Sequence, residues 1–391
     1  MSKKILEVID AFYPQVDGVV KVVNNYATLL NQDNECAVIC PDYKIKLDRE
    51  FKYKVVQKKS VCFTAHDIIM PFPIHCGKTN KFIKEFKPDI VHVHSPFFIG
   101  HYALRKAHRM HVPCVATFHS QFKRDVMDIT GSRLLTWIAI KYIVRFFNKC
   151  DEVWAVSNAT ANTLRSYGFK KSIFVVKNGT EFKYPENMDS NIEKAVEKFK
   201  IDKNKKNLVF VGQIRKVKNL PLIIDTLGEI AKTRKDFHMY FIGEGTDVKS
   251  LEKQAKSLGI LDYITFTGRI NDPDILTGFY GAVDLMFFPS VYDNNSIAVM
   301  EACVCKLPAL LTEGANTAEG FIDCENGFLA KENSKSMAEK ILYIFDHPEK
   351  ARECGEKAAK TIPFRWEDII GEASNRYDFI IENYKKKHSK Q

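Results

Sequence analysis

The chain has 391 residues, which at about 150 residues per domain predicts two domains, possibly a third. Hydrophobic residues make up 45% and charged residues 27%, a balance that excludes disordered, collagen-like and coiled-coil chains. The net charge of +10 is confined to one half: residues 1–190 hold 28 Lys/Arg against 18 Asp/Glu, and residues 51–149 alone hold 17 against 5, whereas residues 191–391 hold 30 of each. A surplus placed in this way points to an anionic partner for the first half: nucleic acid, a phosphorylated acceptor or an acidic membrane surface.

The N-terminal MSKKILEVID is charged again by Glu7 and Asp10, so it reads as a first buried strand and not as a signal peptide. Further strands are predicted at 36–40, 89–94, 112–119, 152–157 and 174–178, with helical patterns between them such as Val19–Leu30. A second series follows at 207–213, 238–243, 263–268, 284–290, 308–312 and 327–330. Apolar strands alternating with helices mean parallel sheets covered on both faces. The chain is therefore expected to be α/β, with two doubly wound, Rossmann-like domains at 1–190 and 191–365, joined in the Lys-rich stretch 183–207. Ligands of such sheets sit beyond the carboxyl ends of the strands, which puts the expected site in the cleft between facing domains.

Residues 132–150 combine Leu134, Leu135, Trp137, Ile138, Ile140, Tyr142, Ile143, Phe146 and Phe147 with Arg133, Lys141, Arg145 and Lys149. The segment is too short and too charged to span a bilayer. It fits either a core helix or a helix lying in a membrane interface with its basic groups on the headgroups. The ten cysteines are scattered with no C-x-x-C pair, which suggests reduced thiols in a cytosolic protein.

The most specific constellation is SVYDNNSIAVMEACVCKLPAL, residues 290–310. A strand runs into a polar turn and then a helix beginning near Ser296. The amides around Asn294, Asn295, Ser296 and Ile297 make a ready anion site. Asp293 stands at the turn, and Glu301 follows after seven residues, a carboxylate able to accept two charge-assisted hydrogen bonds from a ribose diol.

An acid, seven residues, a Glu and then a small-residue helix with x-x-P-x-L resembles the signature of retaining glycosyltransferases of family 4. VDGVVKVVNNYATLL (16–30), HVHSPFFIGHYALRKAHRMHVPCVATFHSQF (92–122), VWAVSNATANTLRSYGF (153–169), VVKNGTEF (175–182), VFVGQIRKVKNLPLIIDTL (209–227), YFIGEGTDVKSLEKQAKSLGI (240–260) and GANTAEGFIDCENGFLA (314–330) agree in order. H-x-H-S-P-F paired with F-H-S-Q-F is most similar to the bacterial glycolipid synthases of that family, such as diacylglycerol glucosyltransferases. The resemblance implies the GT-B fold, with a C-terminal helix over 366–391 crossing back onto the first domain. It implies that Gly18 approaches the donor diphosphate and that His119 touches the donor sugar and the reacting centre. Lys218 holds the diphosphate beside Gly212 and Gln213. Gly268, Arg269 and Ile270 read the base, Asp293 meets the sugar hydroxyls, and Glu301 binds ribose. The sequence departs from the family at Gln213, where Arg is usual, and at Asp293, where Glu is commoner.

Other features are weaker. His92 and His94 share one face of a strand, but no acid or cysteine lies at ligand spacing in the sequence, so no metal is expected there. Asp272-Pro273-Asp274 is expected to cap a helix. Gly243-Glu244-Gly245 lacks the third glycine of a dinucleotide motif. The basic half lacks the aromatic-interleaved motifs of nucleic-acid readers. The expected protein is a metal- and cofactor-free, retaining transferase. It moves a hexose, glucose from a UDP-linked donor, to a diacylglycerol or glycolipid at the anionic inner face of the cell membrane, where it sits as a peripheral cytoplasmic protein. The alternatives are transfer to a soluble or polyprenyl-linked saccharide in surface polysaccharide assembly, and nucleotide-sugar binding without catalysis.

Overall fold

A computed structural model describes residues 2–388 except positions 16, 45, 46, 48, 66, 67 and 74–76. The chain divides into two compact units, 1–178 with 366–391, and 179–365.

The first unit is built on strands β1 (Lys4–Val8), β2 (Glu35–Asp42), β3 (Lys54–Ala65), β4 (Ile68–Pro73), β5 (Ile90–Val93), β6 (Cys114–Phe118), β7 (Glu152–Ala155) and β8 (Phe174–Val175). Their order is β4-β3-β2-β1-β5-β6-β7-β8. Among the described residues of this unit, only the β3–β4 pairing is antiparallel. That hairpin was not among the predicted strands, because KVVQKKSVCFTA carries three lysines and shows no continuous apolar run. Leu6, Val8, Val91, Val93, Ala116 and Phe118 fill the core from adjacent strands.

The helix Arg133–Lys149 is capped by Ser132, whose Oγ accepts from the Leu135 amide. It buries Ile140, Ile143, Val144, Phe146 and Phe147. It leaves Leu134, Leu135, Trp137, Ile138 and Tyr142 exposed, Leu134 at 66% and Trp137 at 60%. The sequence posed a core helix and an interfacial helix as alternatives; one face meets the first description and the opposite face is apolar and open.

The last helix, Trp366–His388, belongs to this unit. Its Trp366, Ile369, Ile370, Ala373, Tyr377, Ile380 and Ile381 are all buried, at helical spacing. Arg376 forks onto both oxygens of Glu152 on β7, at 2.9 and 2.7 Å.

The second unit carries β9 (Lys206–Val211), β10 (Phe237–Ile242), β11 (Ile264–Gly268), β12 (Leu285–Phe288), β13 (Ala309–Thr312) and β14 (Phe328–Ala330), in the order β11-β10-β9-β12-β13-β14. All pairings are parallel, and each strand is nearly all apolar: Leu208, Phe210, Met239, Phe241, Met286, Phe288 and Leu310 share one core. The division at 178/179 lies upstream of the expected 190. The reason is local: the Thr180 amide donates to the Phe364 carbonyl, and the stretch read as a linker folds into a helix, Met188–Phe199. Close approach of that helix to the one at 273–282 requires Gly278, where a Cβ would lie 1.9 Å from the Asn191 carbonyl oxygen.

Candidate functional site

Strand order in the second unit reverses between β9 and β12, so the loops leaving their carboxyl ends open the crevice where ligands of such sheets bind. The β9 loop carries Gly212, Gln213 and, on a short 3₁₀ turn at Lys216–Lys218, the Lys218 ammonium. The β12 loop carries Ser290 to Ser296 into the helix Ile297–Val304. The two loops meet through one ion pair, Lys218 Nζ to Asp293 Oδ1, with both side chains mostly buried. Ser290 Oγ donates to the other Asp293 oxygen at 2.6 Å, and the Lys218 ammonium lies 5.2 Å from the centre of the Tyr292 ring.

Behind this pair the turn is braced. Thr312 Oγ1 donates to the Pro289 carbonyl at 2.9 Å, Thr317 Oγ1 to the Ser290 carbonyl at 3.2 Å, and the Asn316 amide to Asn294 Oδ1 at 2.7 Å. Ser296 is the N-cap without a side-chain capping bond, so the first amides of the helix keep their donor capacity towards a ligand. Asn295 Oδ1 is buried with no hydrogen-bond partner among the described residues, an unusual state for a polar atom outside a binding site. Glu301 is buried one turn into the helix, and the Tyr280 hydroxyl donates to its Oε2 across 3.4 Å. Burial, and then the Glu301 charge, push the Tyr280 hydroxyl well above its ordinary range.

Three more predicted residues lie at the end of β11. The Gly268 carbonyl accepts from the Gly243 amide at 2.9 Å, and the Gly212 amide donates to the Ile242 carbonyl at 3.0 Å. The three loops are thus tied edge to edge. Gly243 has φ of +139°, and a Cβ there would lie 1.9 Å from the Gly212 carbonyl oxygen. Gly243 and Gly245 are therefore packing glycines that let these loops approach one another, a role their spacing did not reveal. Arg269 is exposed and Ile270 is half-buried against the core. Gln213 and Lys216 are exposed, and Arg215 is half-buried.

In the first unit the reversal falls between β1 and β5. Gly18 begins the helix Gly18–Leu30, capped by Asp17, and a Cβ there would meet nothing within 4 Å. The protein's own packing does not require glycine at that point. Asp10 lies two residues beyond β1, and its carboxylate accepts from the Ile99 and Gly100 amides at 2.6 and 3.2 Å, fixing the start of the helix Phe98–Arg109; burial pushes it up to about 6.

His119, just beyond β6, is buried at the end of a chain of polar groups. Its Nε2 lies 3.0 Å from His94 Nδ1, and His94 Nε2 lies 2.6 Å from Glu7 Oε2. His92 Nδ1 meets the Tyr377 hydroxyl at 2.5 Å and its Nε2 meets Thr117 Oγ1 at 2.7 Å. Local spacing shows no acid beside the two histidines, and that expectation fails: parallel pairing sets Glu7 opposite His92. Ligand-capable atoms of Glu7, His92 and His94 fall within 4.8 Å of one another; both ring nitrogens of His92 and of His94, and Glu7 Oε2, take part in the hydrogen bonds just given. Burial holds His92 and His119 well below the usual imidazole range, His94 down to about 3, and raises Glu7 well above the usual carboxylate range.

Asp272 caps the helix Pro273–Ala282, its Oδ1 accepting from the Asp274 and Ile275 amides. Cys303 on the helix and Cys305 in the turn that follows it are both buried. No helix among the described residues is long and apolar enough to cross a membrane.

Comparison with known proteins identifies the family and agrees with the fold. Residues 16–183 match the family model described as "Glycosyltransferase Family 4", and residues 191–361 the one described as "Glycosyl transferases group 1". The chain is 24% identical over 305 residues to an alpha-monoglucosyldiacylglycerol synthase of Streptococcus pneumoniae, covering 77% of this chain and 69% of the relative. It is 22% identical over 392 residues to a GDP-mannose-dependent alpha-mannosyltransferase of Corynebacterium glutamicum, covering 97% and 89%. Among solved structures, Anabaena Alr3699/HepE in complex with UDP-glucose superposes with a TM-score of 0.72 at 17% identity, covering all of both chains. The two models together take in nearly the whole sequence, and the chain belongs to family 4 of the glycosyltransferases, enzymes of the GT-B fold that transfer a sugar from a nucleotide-sugar donor.

Proposed function

We propose that this glycosyltransferase is a retaining, metal-independent hexosyltransferase that moves glucose from UDP-glucose to a diacylglycerol or glycolipid acceptor, docked on an anionic membrane surface. For the donor, the carrying observation is the Lys218–Asp293 pair set beside the start of the Ile297–Val304 helix, with Glu301 one turn on. Lys218 and the helix amides meet the diphosphate and take up the charge that grows on it as the sugar leaves. Glu301 accepts from the ribose diol, Gly268 to Ile270 face the base, and Asp293 turns towards the sugar hydroxyls. Two cationic sources at the phosphate replace a bound metal ion in this account. With the stereochemistry retained, the departing phosphate oxygen takes the acceptor proton on the face it leaves, and His119 orients the sugar.

The acceptor assignment rests on the helix Arg133–Lys149, whose open apolar face is flanked by exposed Arg133, Lys141, Arg145 and Lys149. A side-by-side arrangement of exposed Trp, Leu and Ile with basic groups suits a headgroup boundary. The relative named as a glucosyldiacylglycerol synthase supports the same acceptor class. The deciding experiment is product analysis with UDP-glucose, UDP-galactose, UDP-N-acetylglucosamine and GDP-mannose against diacylglycerol, monoglucosyldiacylglycerol and soluble saccharides. An α-linked glucolipid formed from UDP-glucose is expected. Transfer only to a soluble or polyprenyl-linked saccharide replaces the lipid reading with polysaccharide assembly, and turnover with GDP-mannose alone replaces the donor.

A further inference from the structure

Lys218 reaches Asp293 from a loop that has an anchor of its own. The next residue, Asn219, has φ of +61° and stands at the N-cap of the helix Leu220–Ile230. An N-cap asparagine usually accepts from the amide two or three residues on, but the Asn219 side chain makes no such bond. Its left-handed backbone would be met equally well by glycine. The side chain instead uses both amide hydrogens across the loops: Nδ2 donates to the Pro289 carbonyl at 3.3 Å and to Glu332 Oε1 at 2.9 Å. A carbonyl and an ionised carboxylate only accept, so these partners fix the orientation of the amide; turned over, its oxygen would face two acceptors.

These contacts close a ring. Lys218 pairs with Asp293 Oδ1, and Ser290 Oγ donates to Asp293 Oδ2 at 2.6 Å. Pro289 precedes Ser290, and its carbonyl leads back to Asn219, which follows Lys218. The same carbonyl accepts from Thr312 at the end of β13, and Glu332 lies two residues beyond β14. One amide therefore fastens the β9 loop to the β12 turn, itself braced from β13, and to the end of β14. We infer that Asn219 is a positioning residue for the transfer reaction: it fixes the loop so that Lys218 stands beside Asp293 before the donor arrives. The four-carbon stem of lysine is flexible, so its ammonium is placed only as well as the backbone that carries it. The donor diphosphate then meets a cation whose place is already set, and none of the ordering is left to the moment of binding. The functional half of this inference rests on the reading of Lys218 as the group that meets the diphosphate; the anchoring half rests on the ring alone.

The two halves are read separately. Asn219→Gly keeps the backbone angle and loses both hydrogen bonds; Asn219→Asp keeps the shape and removes the donor, so either decides the matter if the other fails to fold, and a thermal melt shows which are folded. Acetylation by acetic anhydride in the donor-free protein, followed by peptide mass spectrometry, reads the freedom of the Lys218 ammonium, with exposed Lys249 as internal reference. The Lys218 side chain is 14% exposed and ion-paired in the unmodified protein. In both variants its rate relative to Lys249 is expected to rise at least about threefold, the loss of a hydrogen bond expressed as a ratio. An unchanged ratio in a folded variant overturns the anchoring, whatever the affinity for UDP. Calorimetry with UDP then closes a double-mutant cycle. Asn219→Gly is expected to weaken UDP binding about three- to tenfold in the unmodified background and less than about 1.5-fold in the Lys218→Ala background. Equal losses in both backgrounds show that Asn219 acts apart from Lys218 and overturn the inference. UDP affinity unchanged in Lys218→Ala overturns the assignment of Lys218 to the diphosphate, while the labelling result still decides the anchoring.

Discussion

Glu301→Ala tests the donor site at one pair of hydrogen bonds. The carboxylate is buried on the Ile297–Val304 helix, and the Tyr280 hydroxyl donates to its Oε2 across 3.4 Å. A ribose diol placed against it makes two hydrogen bonds to a charged acceptor, each about 1.5–3 kcal/mol before desolvation of Glu301 is deducted. A net loss of about 2–3 kcal/mol on truncation follows, equivalent to about a 30- to 150-fold weaker dissociation constant. Calorimetry with UDP measures it, and a thermal melt shows that the variant is folded; Glu301→Gln, which keeps the volume, guards against collapse of the site. The same titration with 2′-deoxy-UDP closes a double-mutant cycle. The unmodified protein should lose about 1–1.5 kcal/mol on removal of the hydroxyl, and the Ala variant almost nothing. Unchanged UDP affinity in a folded variant, or an equal deoxy penalty in both proteins, refutes the ribose assignment.

Turnover should survive an excess of EDTA if Lys218 and the helix amides meet the phosphates as proposed; complete loss restored by magnesium or manganese rejects metal independence. Reversing Lys141, Arg145 and Lys149 to Glu should weaken sedimentation with anionic vesicles by at least about 3 kcal/mol, at about 1 kcal/mol per basic residue, and leave UDP affinity intact; all three side chains are exposed, so the melting temperature should hold, and equal binding to neutral vesicles would remove the docking argument. Gly243→Ala should cost on the order of 3 kcal/mol in denaturant titrations, because the new Cβ meets backbone 1.9 Å away at a φ of +139°, and a change below about 0.5 kcal/mol would show that the loops yield freely. Acid should destabilise the protein. His92, His94, His101, His119 and His238 are all held below their ordinary range, so the unfolded chain protonates them below about pH 6.5 while the folded one does not; Glu7, Asp10 and Asp284, all raised, oppose this in part. Unfolding near pH 5 then takes up about two protons, a loss of stability of about 3 kcal/mol per pH unit, and equal stability at pH 7 and 5 would contradict it.

Strands whose residues are apolar on both faces were legible in the sequence, because a parallel strand covered by helices writes itself as a run such as LVFV or VATF. The β3–β4 hairpin was not, since its lysines and the neighbouring prolines break that signature. At the candidate site the Asp293-to-Glu301 spacing could be read because both residues lie on one turn and one helix. The pairing of Asp293 with Lys218 spans 75 positions, and that of Glu7 with His94 spans 87. Such partners are set by strand order, which local periodicity does not encode. The helix at 133–149 shows the same limit from the other side: periodicity reported an apolar circumference, and only its neighbours decide which half is covered.

The last helix gives the first unit a peculiar schedule of assembly. The unit that begins the chain is completed by residues 366–391, which supply Tyr377 over Glu7 and the Arg376 fork onto Glu152. During synthesis from the N-terminus, the uninterrupted 179–365 segment can close its core while the earlier residues still lack their cover. The half that emerges first therefore closes only after 366–388 have been made, and until then Glu7 and His92 lack the Tyr377 hydroxyl that meets them in the folded unit.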